Sequence, residues 1–250
     1  MYIKSLVSIL LLCCCLLTAC AQPAKKAEDP NVHYILGVSY LRENNATLAL
    51  QEFQKALAVD SRNPDVLVGL GRAYHLKKAY AEAEKQHLQA LSLRPGDPLT
   101  ENNLGALYLD MERLDDAIRY FGQAAANLTF PKSEVSFTGL GYAHFLKGEY
   151  LEAVSAYNNA LAQNSSYSQA HQRLGEVYYA MGKTDRAIGE FRKALDLNGN
   201  DVLAHFQLGL AYMKLGGESA RAAASLQKVL RLAPNSELAG QAQNYLEVLK

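Results

Sequence analysis

Leu174-Gly175-Glu176-Val177-Tyr178-Tyr179-Ala180-Met181-Gly182, followed by Ala187-Ile188-Gly189-Glu190-Phe191-Arg192-Lys193-Ala194, is the stretch on which the fold turns. Its Leu-Gly pair has counterparts at Leu36-Gly37, Leu70-Gly71, Leu104-Gly105, Leu140-Gly141 and Leu208-Gly209. The step is 34 residues, except for one of 36. Three residues after each Gly stands a ring: Tyr40, Tyr74, Tyr108, Tyr178 and Tyr212, with His144 in the remaining copy. Twelve after the Gly comes Ala49, Ala83, Ala117, Ala153 or Ala187. Then follow Phe53, His87, Phe121, Tyr157 or Phe191, and Ala56, Ala90, Ala124, Ala160 or Ala194. The sixth copy fits with one residue inserted near Gly216-Gly217, which brings Ala222, Leu226 and Val229 into register. A fixed period of this length marks units that cannot bury their apolar faces alone and must stack.

This spacing resembles the tetratricopeptide repeat family. The resemblance covers about 200 residues and implies an all-α, right-handed α-solenoid of six helix pairs plus a C-terminal capping helix. Small residues at fixed places let the first helix (A) and second helix (B) of each unit approach closely, and the rings fill the gaps between pairs. Gly148 and Gly182 suit the A–B turn, where a positive φ is needed. The units run at about 30–63, 64–97, 98–133, 134–167, 168–201 and 202–235 within a solenoid of 31–250. The tail 236–250 places Leu238, Ala242, Tyr245, Leu246 and Leu249 at helical spacing and reads as the cap.

A curved solenoid has an inner face, and the register implies which A-helix residues look into it. In unit one these are Tyr34, Val38, Leu41 and Arg42; in unit two, Val68, Arg72 and His75. Units three and four supply Leu99, Asn102, Ala106, Leu109, Val135, Tyr142 and Phe145. Units five and six supply Gln172, Glu176, Tyr179, Phe206, Leu210 and Met213. The face is largely apolar, and a large apolar surface on a folded chain points to use. Such a groove suits an amphipathic helix or an extended peptide.

The first thirty residues read differently. Lys4 precedes an apolar run from Leu6 to Leu17, interrupted only by Ser8. At roughly 18 Å as a helix it is too short for a ~30 Å hydrocarbon core, and it reads as a secretory signal peptide over 1–19. Leu17-Thr18-Ala19-Cys20 resembles a bacterial lipobox. The resemblance implies cleavage before Cys20 and acylation of that residue. Residues 20–30 are then an acylated Cys and a small, polar tether. More than one acyl chain gives stable anchoring. Ala21 rather than Asp after the Cys implies sorting to the outer membrane of a Gram-negative bacterium, facing the periplasm. Cys13, Cys14 and Cys15 would leave with the leader, so the body has no disulfide framework and no Cys-based zinc site.

Composition narrows the chemistry. The 250 residues carry 25 Lys+Arg against 25 Asp+Glu. This balance argues against a nucleic-acid binder that works by phosphate neutralisation. No metalloprotease, serine-elbow or phosphate-loop motif is present, so the chain does not read as an enzyme. His33, His171 and His205 share one register position, and His87 and His144 replace rings at others. Repeats set successive positions on the order of 10 Å apart, too far for a shared ion. No metal or cofactor is expected beyond the lipid on Cys20.

The 36-residue step ends in Asn127-Leu128-Thr129-Phe130-Pro131-Lys132-Ser133. With Asn102-Asn103 before the Gly of that unit, six repeats and the lipobox, it resembles the third repeat of the PilF/PilW family of type IV pilus biogenesis lipoproteins, or pilotins. The resemblance implies a chaperone-like scaffold that binds a secretin subunit or another pilus assembly protein. A general periplasmic adaptor, recruiting envelope proteases or cell-wall hydrolases, stays open beside it.

Overall fold

The computed structural model describes residues 29–249. Among them are thirteen α-helices and no strand. They are α1 (Pro30–Arg42), α2 (Ala46–Val59), α3 (Pro64–Leu76), α4 (Tyr80–Leu93), α5 (Pro98–Asp110), α6 (Leu114–Ala126), α7 (Ser133–Leu146), α8 (Tyr150–Gln163), α9 (Ser168–Ala180), α10 (Thr184–Leu197), α11 (Val202–Leu215), α12 (Ser219–Leu232) and α13 (Glu237–Val248). Odd-numbered helices α1–α11 are the A helices and even-numbered ones the B helices. The leader, Cys20 and most of the tether lie outside the described residues. No helix among those described is long and apolar enough to cross a membrane.

Local chemistry sets where the helices begin. Asp29, Asn63 and Asp97 cap α1, α3 and α5 with their side chains, each followed by a Pro in the first turn. The cap accepts an N–H that has no partner inside the helix, and Pro at that place has no N–H to lose. Three residues join A to B in every unit. Gly148 and Gly182 take φ of 79° and 74° in that turn, while Asn44, Lys78 and Glu112 adopt φ near 57° in the first three units. Four residues join B to the next A, except between α6 and α7, where residues 127–132 hold the two-residue insertion. Asn127 closes that link by accepting from Thr129 N at 3.0 Å and Thr129 Oγ1 at 2.7 Å.

The rings of the B helices staple the units. A Cβ added to Gly37 or Gly69 would sit 2.6 or 2.5 Å from the Phe53 ring, so one ring fills the gap within its own unit and the gap to the next. Phe121 does the same against Gly105 and Gly139. Two of the register histidines are packing groups: His33 pairs with Glu52 at 2.6 Å and His171 with Glu190 at 2.7 Å. Lys55, and then His33, hold Glu52 below the usual carboxylate range.

Each helix packs on the next along the chain. Each A helix also touches the A helix of the following unit, and α11 touches α13, whereas no described B helix touches another B. The A helices are therefore the closer-set inner wall, and the B helices splay outside. At the carboxyl end α13 covers the last unit, laying Leu238, Leu246 and Leu249 around Phe206, Leu226 and Val229. At the other end, no described element packs on the outer face of α1. Val32, Ile35 and Leu36 are 52%, 64% and 40% exposed, whereas Val66, Gly69 and Leu70, their equivalents in unit two, are buried.

Candidate functional site

Among the described residues, hollows follow one another along the inner wall, and three of them bear on its use. The first, about 180 Å³, lies between the first three A helices and is bordered by Leu41, Asn44, Arg72, His75, Leu76, Asn103 and Ala106. The second, about 210 Å³, brings together Asn102, Ala106, Leu109, Val135 and Tyr142 with Thr138, Tyr167, Gln169 and Arg173. The third, about 330 Å³, is the most apolar: Phe145, Tyr179, Ala180, Leu203, Phe206 and Leu210 surround it, with Glu176 and Gln207 as polar members.

Other expected groove residues lie elsewhere. Tyr34 leans on Phe53, with ring centroids 6.1 Å apart, and Val38 packs in the same cluster. Val68 is buried with Leu67 and Ala90 in the stack. Leu99 and Arg42 are exposed outside the three hollows. Gln172 is buried, and Met213 packs on the core at the last units. Cys20 lies outside the described residues.

A polar chain runs between the second and third hollows. Gln172 Nε2 donates to Gln207 Oε1 at 3.1 Å, Gln207 Nε2 donates to Glu176, and Arg173 donates to Glu176 Oε2 at 2.9 Å. Arg173 also lies over the Tyr142 ring, 4.3 Å from its centroid. Lys214 sits over Tyr179 at 4.2 Å and donates to its carbonyl. Tyr142 and Phe145 stack at 6.5 Å, and Phe145 meets Tyr150 at 5.9 Å. The middle of the wall is thus a ribbon of rings held by cations, a surface on which apolar side chains and peptide backbone both find partners.

Arg173 and Gln207 escaped the sequence reading, although a signal existed. The residue two before each repeat Gly reads Ile35, Gly69, Asn103, Gly139, Arg173 and Gln207. Gly69 and Gly139 at this place touch the ring of the preceding unit. Polar side chains there must reach past the stack toward the hollows. Among the described residues no group of three or more His, Cys, Asp or Glu could hold a metal ion.

Three comparisons bear on the fold and its use. A model described as "TPR repeat" matches residues 141–182 and 175–216, and two described as "Tetratricopeptide repeat" match 24–98 and 203–236. Together these spans take in well over half of the chain. The chain belongs to the tetratricopeptide repeat family. It is 28% identical over 151 residues to the human "Cell division cycle protein 16 homolog", covering 56% of this chain but 24% of that protein. It is 33% identical over 144 residues to the "Type IV pilus assembly protein PilF" of Pseudomonas aeruginosa, covering 54% of this chain and 56% of PilF. Over that stretch the tetratricopeptide chain is related to PilF. The crystal structure of "PilW, widely conserved type IV pilus biogenesis factor" superposes with a TM-score of 0.78 over 86% of this chain and 98% of that one. At 21% identity that likeness is one of fold.

Proposed function

We propose that this tetratricopeptide chain is a pilotin: an outer-membrane lipoprotein, anchored through Cys20 and facing the periplasm, whose inner wall binds a secretin subunit and supports its assembly into the pilus pore. It acts by binding and not by catalysis. The observation that carries the reading is the run of three hollows along the A helices, in a chain related to a pilus assembly protein over half its length. An apolar wall with a few fixed polar groups is what a folding or extended client chain needs for temporary cover. The lipobox supplies the location, and the tether leaves the solenoid free to reach its client.

The test is a deletion strain, probed for heat-resistant secretin multimers, with Cys20→Ser expressed beside it. Loss of multimers on deletion, and departure of Cys20→Ser from the outer-membrane fraction, are expected. Normal multimers and normal twitching in the deletion strain would rule out the pilotin role. Outer-membrane retention of Cys20→Ser would rule out the anchor. A pull-down that returns proteases or cell-wall hydrolases without pilus proteins would put the adaptor reading in its place.

A further inference from the structure

The outer side of the solenoid is a row of furrows. Each A helix packs on the B helices before and after it, while no described B helix touches another B. The furrow walled by α10 and α12 and floored by α11 holds a hollow of about 340 Å³, bordered by Arg192, Leu208, Tyr212, Arg221, Ala224 and Ser225. No carboxylate borders it. The same six register positions include one carboxylate in each earlier furrow: Glu82, Asp116, Glu152 and Glu190.

The donors of this hollow are left without acceptors. Arg192 makes no hydrogen bond or ion pair among the described residues. Ser225 is only 9% exposed and Tyr212 only 8%, yet neither hydroxyl has a hydrogen-bond partner among those residues. Arg221 is better served: it donates to Glu218 at 3.0 Å and its guanidinium lies 6.0 Å from the Tyr212 ring centroid. Buried donors left unpaired cost their desolvation, so a ligand that accepts from them is favoured.

Another furrow shows what such donors take. Between α4, α5 and α6, Tyr108, the counterpart of Tyr212, donates to Glu84 Oε1 at 2.6 Å, and Arg113 donates to the same oxygen at 3.1 Å. Ile188 stands in the register position of Glu84 and packs in one cluster with Tyr212. The tyrosine and arginine that an internal anion serves at α5 therefore lack one at α11. The hollow at α11 also has more donors to serve, one arginine on each wall and two hydroxyls between them. A carboxylate has two acceptor oxygens, whereas a phosphate monoester turns three in separate directions. Leu208 and Ala224 leave an apolar place for the carbon that carries the phosphate.

We propose that the outer furrow between α10 and α12 binds a phosphate monoester. Arg192 and Arg221 pair with its charge from the two walls, and Tyr212 and Ser225 donate to its oxygens. The site lies apart from the inner wall and is independent of the pilotin reading.

The full chain is titrated by NMR with four probes: glycerol 3-phosphate, dihexanoyl phosphatidic acid below its micelle concentration, inorganic phosphate and acetate. Both esters bind and move the Ser225 amide signal, and acetate binds roughly tenfold more weakly or worse. Arg192→Gln loses about tenfold in affinity for the esters. Ser225→Glu, which restores the residue found at this place in units one and five (Glu52 and Glu190), keeps its thermal transition and no longer binds them. Ser225→Ala, which needs no new charge accommodated, also keeps its transition and binds more weakly. Failure of both esters to bind, or an unchanged affinity in Arg192→Gln, overturns the site. Acetate bound as tightly as the esters overturns the phosphate assignment, and inorganic phosphate bound more tightly than both overturns the place for an ester carbon. Tighter binding of the phosphatidic acid assigns the furrow to a lipid headgroup, and tighter binding of glycerol 3-phosphate assigns it to a soluble ester; either result upholds the phosphate site.

Discussion

At the scale of single residues, His87 shows how a repeat constrains its own exceptions. Its counterparts in the first five units are Phe53, Phe121, Tyr157 and Phe191, and all are buried like it. The place requires a flat ring against Gly71, whatever the polarity of the ring's atoms. A buried imidazole at such a place stays neutral. An unfolded chain takes up a proton near pH 6.5 that the folded chain refuses until about 3. Stability linked to His87 is therefore complete above about pH 6.5 and is lost as pH falls toward 3, by up to about 1.4 kcal/mol per pH unit. His87→Phe should lose less stability than the parent between pH 7.5 and pH 5, as read from urea midpoints. Equal losses would count against a neutral buried His87. The ring positions and their glycine partners were legible in the sequence because sterics fix them to a period. The chain Gln172–Gln207–Glu176–Arg173 was not, because it depends on how long side chains turn once the backbone is in place. Nor could sequence say that Val68 would be covered while Tyr142 would line a hollow. Both stand at inward register positions, and only the local stacking separates them.

At the scale of elements, the helix pairs follow from the period, and the structure adds what joins and ends them. The six-residue link between α6 and α7 was visible as a longer step. Its closure by Asn127 on Thr129 was not. The cap α13 was readable from Leu238, Leu246 and Leu249, which now pack against the last pair. Covering the end of a solenoid is a condition of its solubility as well as its stability. Removal of residues 237–250 should expose Phe206, Leu226 and Val229 and cost on the order of 3 kcal/mol, the worth of a few half-buried leucines. A lower thermal midpoint and increased binding of an apolar dye would be seen in the shortened chain. A shortened chain with the parent's midpoint and no dye binding would deny α13 the role of a cap.

At the scale of the molecule, contacts between the described helices reach only to neighbouring pairs, so the stability of the solenoid is close to a sum of unit and interface contributions. Opening should then be graded along the chain and not all-or-none. In native-state hydrogen exchange, α1 should lose protection before α5, α7 and α9, since among the described residues it has neighbours on one side only. Uniform exchange across all thirteen helices would show a cooperativity that nearest-neighbour packing does not supply. The exposed Val32, Ile35 and Leu36 have a further consequence for modular construction. That face keeps the chemistry of an internal joint, whereas the outward side of α13 carries Glu237, Gln241, Asn244 and Glu247. A helix pair laid against α1 would meet side chains of the kind that pack between units, whereas one laid against α13 would meet chiefly these polar groups. Among the described residues, the outer face of α1 has the apolar chemistry that elsewhere in the solenoid is spent on joining one pair to the next.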